Sequence, residues 1–288
     1  MKDGDQYGEE LAALEKALLD ETMVPVDLPF SLLKAITGNF FKAQQIDGGG
    51  FGAVYKGVLP SGGIIAVKKL FEKFEILDKN FESEVTCLVG VKHNNTVRFL
   101  WNCSETLHVM VPYDGKVVYA EERQRPLCFE YLPKGCLADY LTDASCRFQW
   151  TTHYEIIKGI CEGVHYLHQQ RIIHMDLKPQ NVLLDDNMVP RIADFSLSRR
   201  LSESKSHAIT KNMIGANGYI APEFINKGEI AFKTDTYSLG VIIMEILMGH
   251  KEISNVKEVV ESWTNKLVTS KSQTALEEAK VCAEIAVE

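Results

Sequence analysis

The sequence predicts an α+β protein with two lobes, a small β-rich lobe followed by a larger helical one. β-branched and glycine-rich runs fill residues 41–70, with a turn signal at 60–63. Further on, apolar residues recur at helical spacing in two stretches, namely Ile156, Ile160, Val164 and Leu167, and then Leu239, Ile242, Ile246 and Leu247. Strands that come first and helices that come afterwards are typical of α+β folds.

Four segments follow from these patterns: an acidic extension (1–27), a lead-in helix (28–45), the small lobe with its connection to the next lobe (46–132) and the large lobe (133–288). A short amphipathic helix in the extension is indicated by Leu11, Leu14, Leu18 and Leu19. It is either a docking or regulatory helix or an extension that rests on the domain, and we favour the second interpretation.

The small lobe contains more than the first hairpin. We expect a helix near 80–91 and strands near 97–100 and 127–132. Between the two strands, Asp114-Gly115 joins two apolar runs, which is a strong signal for a β-hairpin. The sequence does not indicate the role of this insertion.

Composition excludes several classes of protein. The net charge of −8 comes without a basic stripe, which argues against nucleic acid as a partner. The longest apolar run, 240–248, is broken by Glu245 and is far shorter than the ~20 residues of a membrane span. The seven cysteines, which are not spaced as zinc ligands, are expected to be reduced thiols: Cys87, Cys103, Cys128, Cys136, Cys146, Cys161 and Cys282. We therefore expect a cytoplasmic protein with no transmembrane segment.

The glycine-rich segment IDGGGFGAVYKG (46–57) lies between two predicted strands. Small residues there allow backbone N–H groups to approach phosphate oxygens closely. A dinucleotide-binding glycine loop would open a helix, but 53–55 is β-branched and aromatic and leads into a strand. The segment is therefore a candidate phosphate-binding turn.

A cation follows on the next strand. Ala66 and Lys68 are two residues apart in IIAVKK, so both side chains face the same side of the strand. Ala66 is suited to contact adenine, and Lys68 can reach the α- and β-phosphates. Glu84, on the helix that follows, is the natural partner for the Lys68 ammonium.

The string HMDLKPQN (174–181) carries the most specific chemistry. Asp176 can accept a hydroxyl proton, Lys178 can neutralise phosphoryl charge, and Asn181 can donate an oxygen to Mg²⁺. Thirteen residues later, Asp194 of IADFS supplies a carboxylate for the metal. The segment closes with GYIAPE (218–223).

These motifs, in this order, resemble those of plant receptor-like kinases, the Pelle-related branch of the protein kinase superfamily, and in particular receptor-like cytoplasmic kinases of grasses. The resemblance covers residues 28–288 and extends to FESEV (81–85), LCFEYLPKGCL (127–137) and YSLGVIIMEILMG (237–249). It implies the two-lobed protein kinase fold and a serine/threonine protein kinase. ATP and Mg²⁺ (or Mn²⁺) are the implied cofactors. Protein substrates with Ser or Thr acceptors are the implied partners, with membrane receptor kinases as further candidates.

The resemblance also assigns roles to residues. Phe129 is the expected gatekeeper beside adenine, Glu130–Leu132 the hinge, and Asp235 the residue that caps a long helix and holds the catalytic loop. Two apolar stacks are expected, one from Leu88, His174 and Phe195 and the other from Val54, Ala66 and Leu183. The implied ATP-binding residues are Ile46, Gly48, Gly49, Gly50, Phe51, Gly52, Val54, Ala66, Lys68, Glu84, Phe129, Glu130, Leu132 and Leu183.

Departures from the family pattern keep a second hypothesis open. Asp47 replaces the first glycine of the turn, Met175 replaces an arginine (a non-RD pattern), Ser196 replaces a glycine, and Ala216 replaces a threonine. The chain also ends at 288 in what resembles the penultimate helix, so we expect Glu223 to lack its arginine and the stripe Leu276–Ala286 to be exposed. We favour an active kinase. The alternative is a nucleotide-binding pseudokinase or scaffold, and phosphate transfer from ATP distinguishes the two.

Overall fold

The computed structural model describes residues 8–20, 27–71, 76–142, 149–210, 214–251, 255–267 and 273–288. The chain separates into two compact units, Met1–Val89 with Arg98–Tyr131, and Gly90–Val97 with Leu132–Glu288. The first is rich in strands and the second in helices, which confirms the predicted α+β fold. The four segment boundaries stay predictions. The extension residues 1–7 and 21–26, like Cys146, lie outside the described residues.

The first unit is built around one antiparallel sheet. Its described helices are α1 (Gly8–Leu19), α2 (Phe30–Ile36) and α3 (Ile76–Leu88). Its described strands are β1 (Gln45–Gly48), β2 (Gly52–Val58), β3 (Ile64–Leu70), β4 (Phe99–Asn102), β5 (Thr106–Tyr113), β6 (Lys116–Arg123) and β7 (Pro126–Glu130). Five strands pair in the order β1-β2-β3-β7-β4. The predicted β2–β3 hairpin, the helix after it and the two later strands are confirmed, with ends displaced by a few residues.

Helix α1 rests on the core of this unit. Leu14 is fully buried in an apolar cluster with Phe30, Ile65 and Trp101, and Leu18 packs against the same cluster. The Arg98 guanidinium donates to the carbonyl oxygen of Leu18 at 3.2 Å. These contacts support the interpretation that we favoured for the extension.

The predicted apolar stripe of α1 is wrong at one residue. Leu19 is 89% exposed, because it follows Leu18 directly and therefore points about 100° away around the helix.

The predicted hairpin at Asp114-Gly115 is confirmed. β5 and β6 form a separate two-stranded sheet, and their register places Val109 opposite Ala120. Asp114 and Gly115 have φ angles of 47° and 70°, and positive φ at both positions is what a two-residue type I′ turn requires. The turn is therefore encoded locally by these two residues.

Helices dominate the second unit. Its described helices are α4 (Leu137–Thr142), α5 (Trp150–Gln169), α6 (Pro222–Lys227), α7 (Phe232–Met248), α8 (Val256–Leu267) and α9 (Gln273–Val287). Its described strands are β8 (Ile172–Ile173), β9 (Val182–Leu184), β10 (Pro190–Ile192), β11 (Arg199–Arg200), β12 (His207–Ile209) and β13 (Glu229–Ala231). They pair as β9–β10, β8–β11 and β12–β13, all antiparallel.

The two long helices bury the stripes that the sequence predicted. All four predicted residues of α5 are buried, and in α7 the residues Ile242, Ile246 and Leu247 are buried while Leu239 is partly so. Among the described residues, no helix combines the length and apolar character needed to cross a membrane.

The expectation that the last helix exposes its apolar stripe, Leu276–Ala286, is wrong. Ala279 and Ala283 of α9 are fully buried, and α9 packs against α7 so closely that a Cβ on Gly240 would lie 2.5 Å from the carbonyl oxygen of Ala286. Small residues on α9 permit this approach, and α7 supplies the surface that we expected to be missing. Glu223 is half-buried rather than buried.

Candidate functional site

The first unit contains a buried ion pair. Lys68 on β3 and Glu84 on α3 are 7% and 0% exposed, and the Lys68 ammonium lies 2.7 Å from Glu84 Oε1. Removing one member of such a pair leaves an uncompensated buried charge, at a cost of about 3–5 kcal/mol. The predicted pairing of these two residues is therefore present, and it fixes the position of the ammonium.

The strand register brings further predicted residues to the face that carries Lys68. Val54 lies opposite Lys68 across β2 and β3, and Phe129 lies opposite Ala66 across β3 and β7. Directly opposed residues in antiparallel strands project on the same side of the sheet. The Phe129 ring is buried and lies 5.7 Å from the Phe99 ring. A small residue, a cation and an aromatic ring thus share one face.

The glycine turn, residues 48–52, is more exposed to solvent than the buried ion pair of Lys68 and Glu84. The N–H of Gly49 donates to the carbonyl oxygen of Gly52 at 3.0 Å, and residues 48–50 are exposed. Gly52 is the constrained position, because a Cβ there would lie 2.5 Å from the carbonyl oxygen of Lys69. Ile46 is exposed on β1, and Phe51 is half-buried. The turn therefore leaves backbone N–H groups accessible to a ligand.

Asp47, which replaces the first glycine of the family pattern, has no strained backbone. It lies within β1 opposite Val54, beside a register shift between Gln45 and Asp47, and its φ is not positive. An aspartate adopts this backbone conformation without strain, so the lost glycine costs no backbone freedom here.

The hinge residues fall in both units. In the first unit, Glu130 accepts the N–H of Arg98 through Oε1 at 2.8 Å and donates its own N–H to the Arg98 carbonyl at 3.1 Å. In the second unit, Leu132 is half-buried, and Leu183 on β9 bridges to Cys136. That Leu132 and Leu183 join the residues of the first unit around adenine stays a prediction.

The catalytic loop, residues 173–181, is organised around Asp176. This residue is 5% exposed. Its Oδ2 accepts from the Lys178 ammonium at 2.7 Å and from the Asn181 amide at 2.9 Å. Its Oδ1 is buried and has no hydrogen-bond partner among the described residues. A buried acceptor left unpaired costs about 1–3 kcal/mol, so this oxygen calls for an explanation.

Asp235 fixes the backbone of this loop. It is 1% exposed, and its two oxygens accept the N–H groups of His174 and Met175, each at 2.8 Å. The predicted holding role is therefore present. The predicted capping role falls to Thr234 instead, whose hydroxyl accepts the N–H of Ala231, the residue just before α7, at 3.1 Å.

The two segments that carry the candidate metal ligands, Asn181 and Asp194, are joined by a backbone hydrogen bond. The amide nitrogen of Asn181 donates to Asp176, which directs the amide oxygen elsewhere. The carbonyl oxygen of Asn181 also accepts the N–H of Ala193, the residue before Asp194. Mg²⁺ prefers oxygen ligands and is commonly held by one or two carboxylates with water and phosphate completing the shell. One carboxylate and one amide oxygen fit that ion, and no group of three or more His, Cys, Asp or Glu is a metal site elsewhere in the described part of the chain.

The apolar stack is present in part. His174 and Phe195 are fully buried with ring centroids 5.0 Å apart in an edge-to-face arrangement. His174 Nδ1 accepts the N–H of Asp176, and its Nε2 lies 3.0 Å from the Ala193 carbonyl oxygen. His174 thus connects the catalytic loop to the segment that carries Asp194. Leu88 belongs to the first unit, and its place in the stack stays a prediction.

Ser196 stands where the family pattern has a glycine, a residue that tolerates positive φ. The left-handed backbone conformation of this motif falls on Asp194, with φ of 63°, and not on Ser196. The Ser196 hydroxyl instead donates to Asp194 Oδ1 at 2.8 Å. In this conformation a serine is therefore accommodated, and it orients the candidate metal ligand.

Sequence reasoning missed two residues of this unit. His168 on α5 lies with Nε2 3.0 Å from Asp235 Oδ2, so it supports the residue that holds the catalytic loop. Arg171 contacts the segment after Asp194 through its guanidinium. Neither residue belongs to a motif. The helical spacing of His168 relative to Val164 is the only signal in the sequence, and it indicates burial rather than function.

The matched family agrees with this geometry. Residues 40–286 match the protein kinase domain, and the chain belongs to that family. The relatives that it matches include plant receptor-like kinases, which confirms the resemblance to that class. The narrower likeness to receptor-like cytoplasmic kinases of grasses stays a prediction.

Two of these relatives, from Arabidopsis thaliana, illustrate the similarity. Cysteine-rich receptor-like protein kinase 19 is 37% identical over 245 residues, which cover 83% of this chain and 35% of the relative. A G-type lectin S-receptor-like serine/threonine-protein kinase is also 37% identical over 245 residues, which cover 81% of this chain and 27% of the relative. The chain thus spans about a third of the length of the curated relatives that it matches.

Proposed function

We propose that this chain transfers the γ-phosphoryl group of ATP to serine and threonine hydroxyls of proteins. The observation that carries the proposal is the buried Oδ1 of Asp176, which accepts no hydrogen bond from any described group. Oδ2 of the same carboxylate accepts two hydrogen bonds. A preoriented acceptor of this kind suits a hydroxyl that must give up its proton during attack. The cost of leaving Oδ1 unpaired is then offset when substrate binds.

The neighbouring residues have matching roles. Oδ1 of Asp176 accepts the proton of the attacking hydroxyl, whose oxygen forms the new bond to phosphorus as the bond to the ADP oxygen breaks. The Lys178 ammonium, held beside Asp176, neutralises charge on the transferred group. In the other unit, the ammonium of Lys68, held by Glu84, binds the α- and β-phosphates. Backbone N–H groups of the glycine turn bind phosphate oxygens.

Asn181 and Asp194 would hold Mg²⁺, or Mn²⁺, together with the nucleotide. The ion supplies neutralisation of phosphate charge. Around adenine we place Ala66, Phe129, the hinge 130–132, Val54 and Leu183. These roles follow the family pattern and are supported by the shared face of β2, β3 and β7.

Specificity and regulation are finer parts of the proposal. Lys178, two residues after the base, is the pattern of kinases that act on serine and threonine, and one relative carries serine/threonine-protein kinase in its name. Met175 makes the chain a non-RD kinase, with a role in signalling. We place it in the cytoplasm, where cysteines stay reduced, and the six described cysteines are free thiols. Membrane receptor kinases are candidate partners, since the relatives have receptor-like names.

The direct test compares the wild type with Asp176→Asn. Radiolabelled phosphate transfer from ATP to a generic basic substrate should fall by about 10²–10⁴-fold, which is the usual contribution of a general base. Nucleotide affinity should stay nearly unchanged, because this side chain orients the acceptor hydroxyl. An equal loss of transfer and affinity would contradict the role of Asp176.

Nucleotide binding is tested separately by thermal unfolding. Mg·ATP should raise the melting temperature of the wild type, because a ligand stabilises the folded state by RT ln(1 + [L]/Kd). Lys68→Met and Asp194→Asn should each remove this rise. A shift in the wild type without any phosphate transfer would support the nucleotide-binding scaffold, and no shift at all would contradict both functions.

A further inference from the structure

Arg171 occupies an unusual position at the end of α5. The residue that follows the helix cap has a φ of 59°, a left-handed conformation that is most often filled by glycine. An arginine there carries a backbone cost of about 1–2 kcal/mol, which contacts of its side chain can offset. The sequence offers no motif that explains the choice.

The Arg171 side chain binds three main-chain carbonyls of one turn, residues 201–205. Its Nε lies 3.4 Å from the carbonyl oxygen of Leu201, and its Nη2 donates to Ser202 at 2.9 Å and also to Lys205. The main chain of Arg171 also contacts the turn, because its carbonyl oxygen accepts the N–H of Leu201 at 2.9 Å. The guanidinium also lies 5.8 Å from the centre of the Phe232 ring. Within the turn, the N–H of Lys205 donates to the carbonyl oxygen of Ser202 at 3.0 Å. Arg171 is thus the side chain that ties three carbonyl groups of the turn to the end of α5.

The turn belongs to the activation segment, residues 194–223, which the proposed function requires to be ordered. In kinases that have an arginine in the place of Met175, the guanidinium binds a phosphate group on the activation segment. Met175 instead packs, half-buried, against an apolar cluster that includes Leu201, Ala221 and Phe224. A thioether has no charge to bind a phosphate, so the ordering contacts must come from elsewhere.

Two other described parts of the segment are held by unmodified groups as well. β12 pairs with β13, and at the end of this pairing Gly228 (φ 64°) has no room for a Cβ, which would lie 2.0 Å from the carbonyl oxygen of Thr210. The Tyr219 hydroxyl donates to Glu245. Burial, together with that carboxylate, raises the pKa of Tyr219, so it stays a donor at physiological pH. These contacts lie outside the 201–205 turn, where Arg171 supplies the side-chain hydrogen bonds to the main chain.

We propose that Arg171 is the positioning residue of the activation segment, ordering the 201–205 turn through its carbonyl oxygens so that the segment needs no phosphate. The clasp, Arg171 with the carbonyls of Leu201, Ser202 and Lys205, also lies next to the catalytic loop, because β8 pairs with β11 and leads directly into His174. The benefit to catalysis rests on the proposed function, whereas the ordering of the turn does not.

The test measures hydrogen exchange of the phosphatase-treated full chain. Arg171→Met should speed the exchange of the Leu201 and Lys205 amides by about tenfold or more, since bonds to a charged donor each contribute enough for such a factor. These two N–H groups donate to the carbonyl oxygens of Arg171 and Ser202 and are therefore protected in the wild type. Arg171→Gly should do the same while its melting temperature stays within about 3 °C of the wild type, because glycine relieves the left-handed backbone. Lys205→Met is the matched control. It removes an exposed cation from the same turn but keeps the carbonyl, and exchange should not change.

Activity gives the second measurement. Both Arg171 variants should lower kcat for protein substrate about tenfold with little change in KM for ATP. A loosened turn with no turnover in any form, wild type included, would remove the proposed kinase function and leave the clasp intact. Unchanged exchange in both Arg171 variants would overturn the clasp, as would a dephosphorylated wild type whose turn exchanges as fast as that of Arg171→Met.

Discussion

The catalytic loop and the glycine turn differ sharply in how they are held. In the loop, Asp235 binds two consecutive backbone N–H groups, and Asp176, Lys178 and Asn181 bond one another. In the turn, residues 48–50 are exposed, and a Cβ on Gly49 or Gly50 would find no described atom within 4 Å. The proposed chemistry explains the contrast. A base must be oriented before the substrate arrives, whereas a turn that binds phosphates must admit and release a nucleotide.

The largest expected effect comes from Asp235→Ala, which removes what holds the loop. Buried N–H groups of His174 and Met175 lose their acceptor, at about 1–3 kcal/mol each. We expect the melting temperature to fall by about 10 °C and phosphate transfer to be lost. The control is Asp186→Ala, which removes an exposed carboxylate and should shift the melting temperature by about 1 °C or less. Similar melting temperatures for the two variants would show that the loop is held by other contacts.

A smaller effect is expected within the glycine turn, where one position is constrained. Gly52→Ala places a methyl group 2.5 Å from the Lys69 carbonyl oxygen and should destabilise the chain by about 1–3 kcal/mol. Gly50→Ala meets open space and should be neutral or stabilising by up to about 1 kcal/mol. Urea unfolding of both variants measures the difference. Equal losses would mean that the turn is packed throughout, which would remove the contrast with the catalytic loop.

The smallest effect is expected from a substitution that adds a hydrogen bond to the catalytic loop. Ala216→Thr introduces a hydroxyl where, by the family pattern, Asp176 and Lys178 both use one. A hydrogen bond to a charged group contributes about 1.5–3 kcal/mol at most, so kcat should rise several-fold. Ala216→Val has nearly the same shape and serves as the control, with no gain expected. If the two variants have equal turnover, the loop is already fully oriented without the threonine.

Several properties of this protein were determined by the sequence alone. The order of Lys68, Glu84, Asp176, Asn181 and Asp194 indicated the chemistry, because each residue type performs a specific task in phosphoryl transfer. The long helices α5 and α7 and the β5–β6 hairpin followed from periodicity and from one turn dipeptide. These signals are local: a side chain that recurs at the period of a helix, or a residue that tolerates positive φ, needs no distant partner to be interpreted.

The tertiary structure decided what depends on distant contacts. Asp235 reaches His174 across 61 residues, and Arg171 reaches Lys205 across 34, so no window of sequence contains either interaction. The same holds for α9, which packs against α7 where the sequence suggested an exposed stripe, and for the two- and three-residue strands that are too short to have a period. Asp176 illustrates the division most clearly. Its identity as a candidate base was evident from its motif, but only the folded chain shows that one carboxylate oxygen is bonded twice and the other is buried without a described partner.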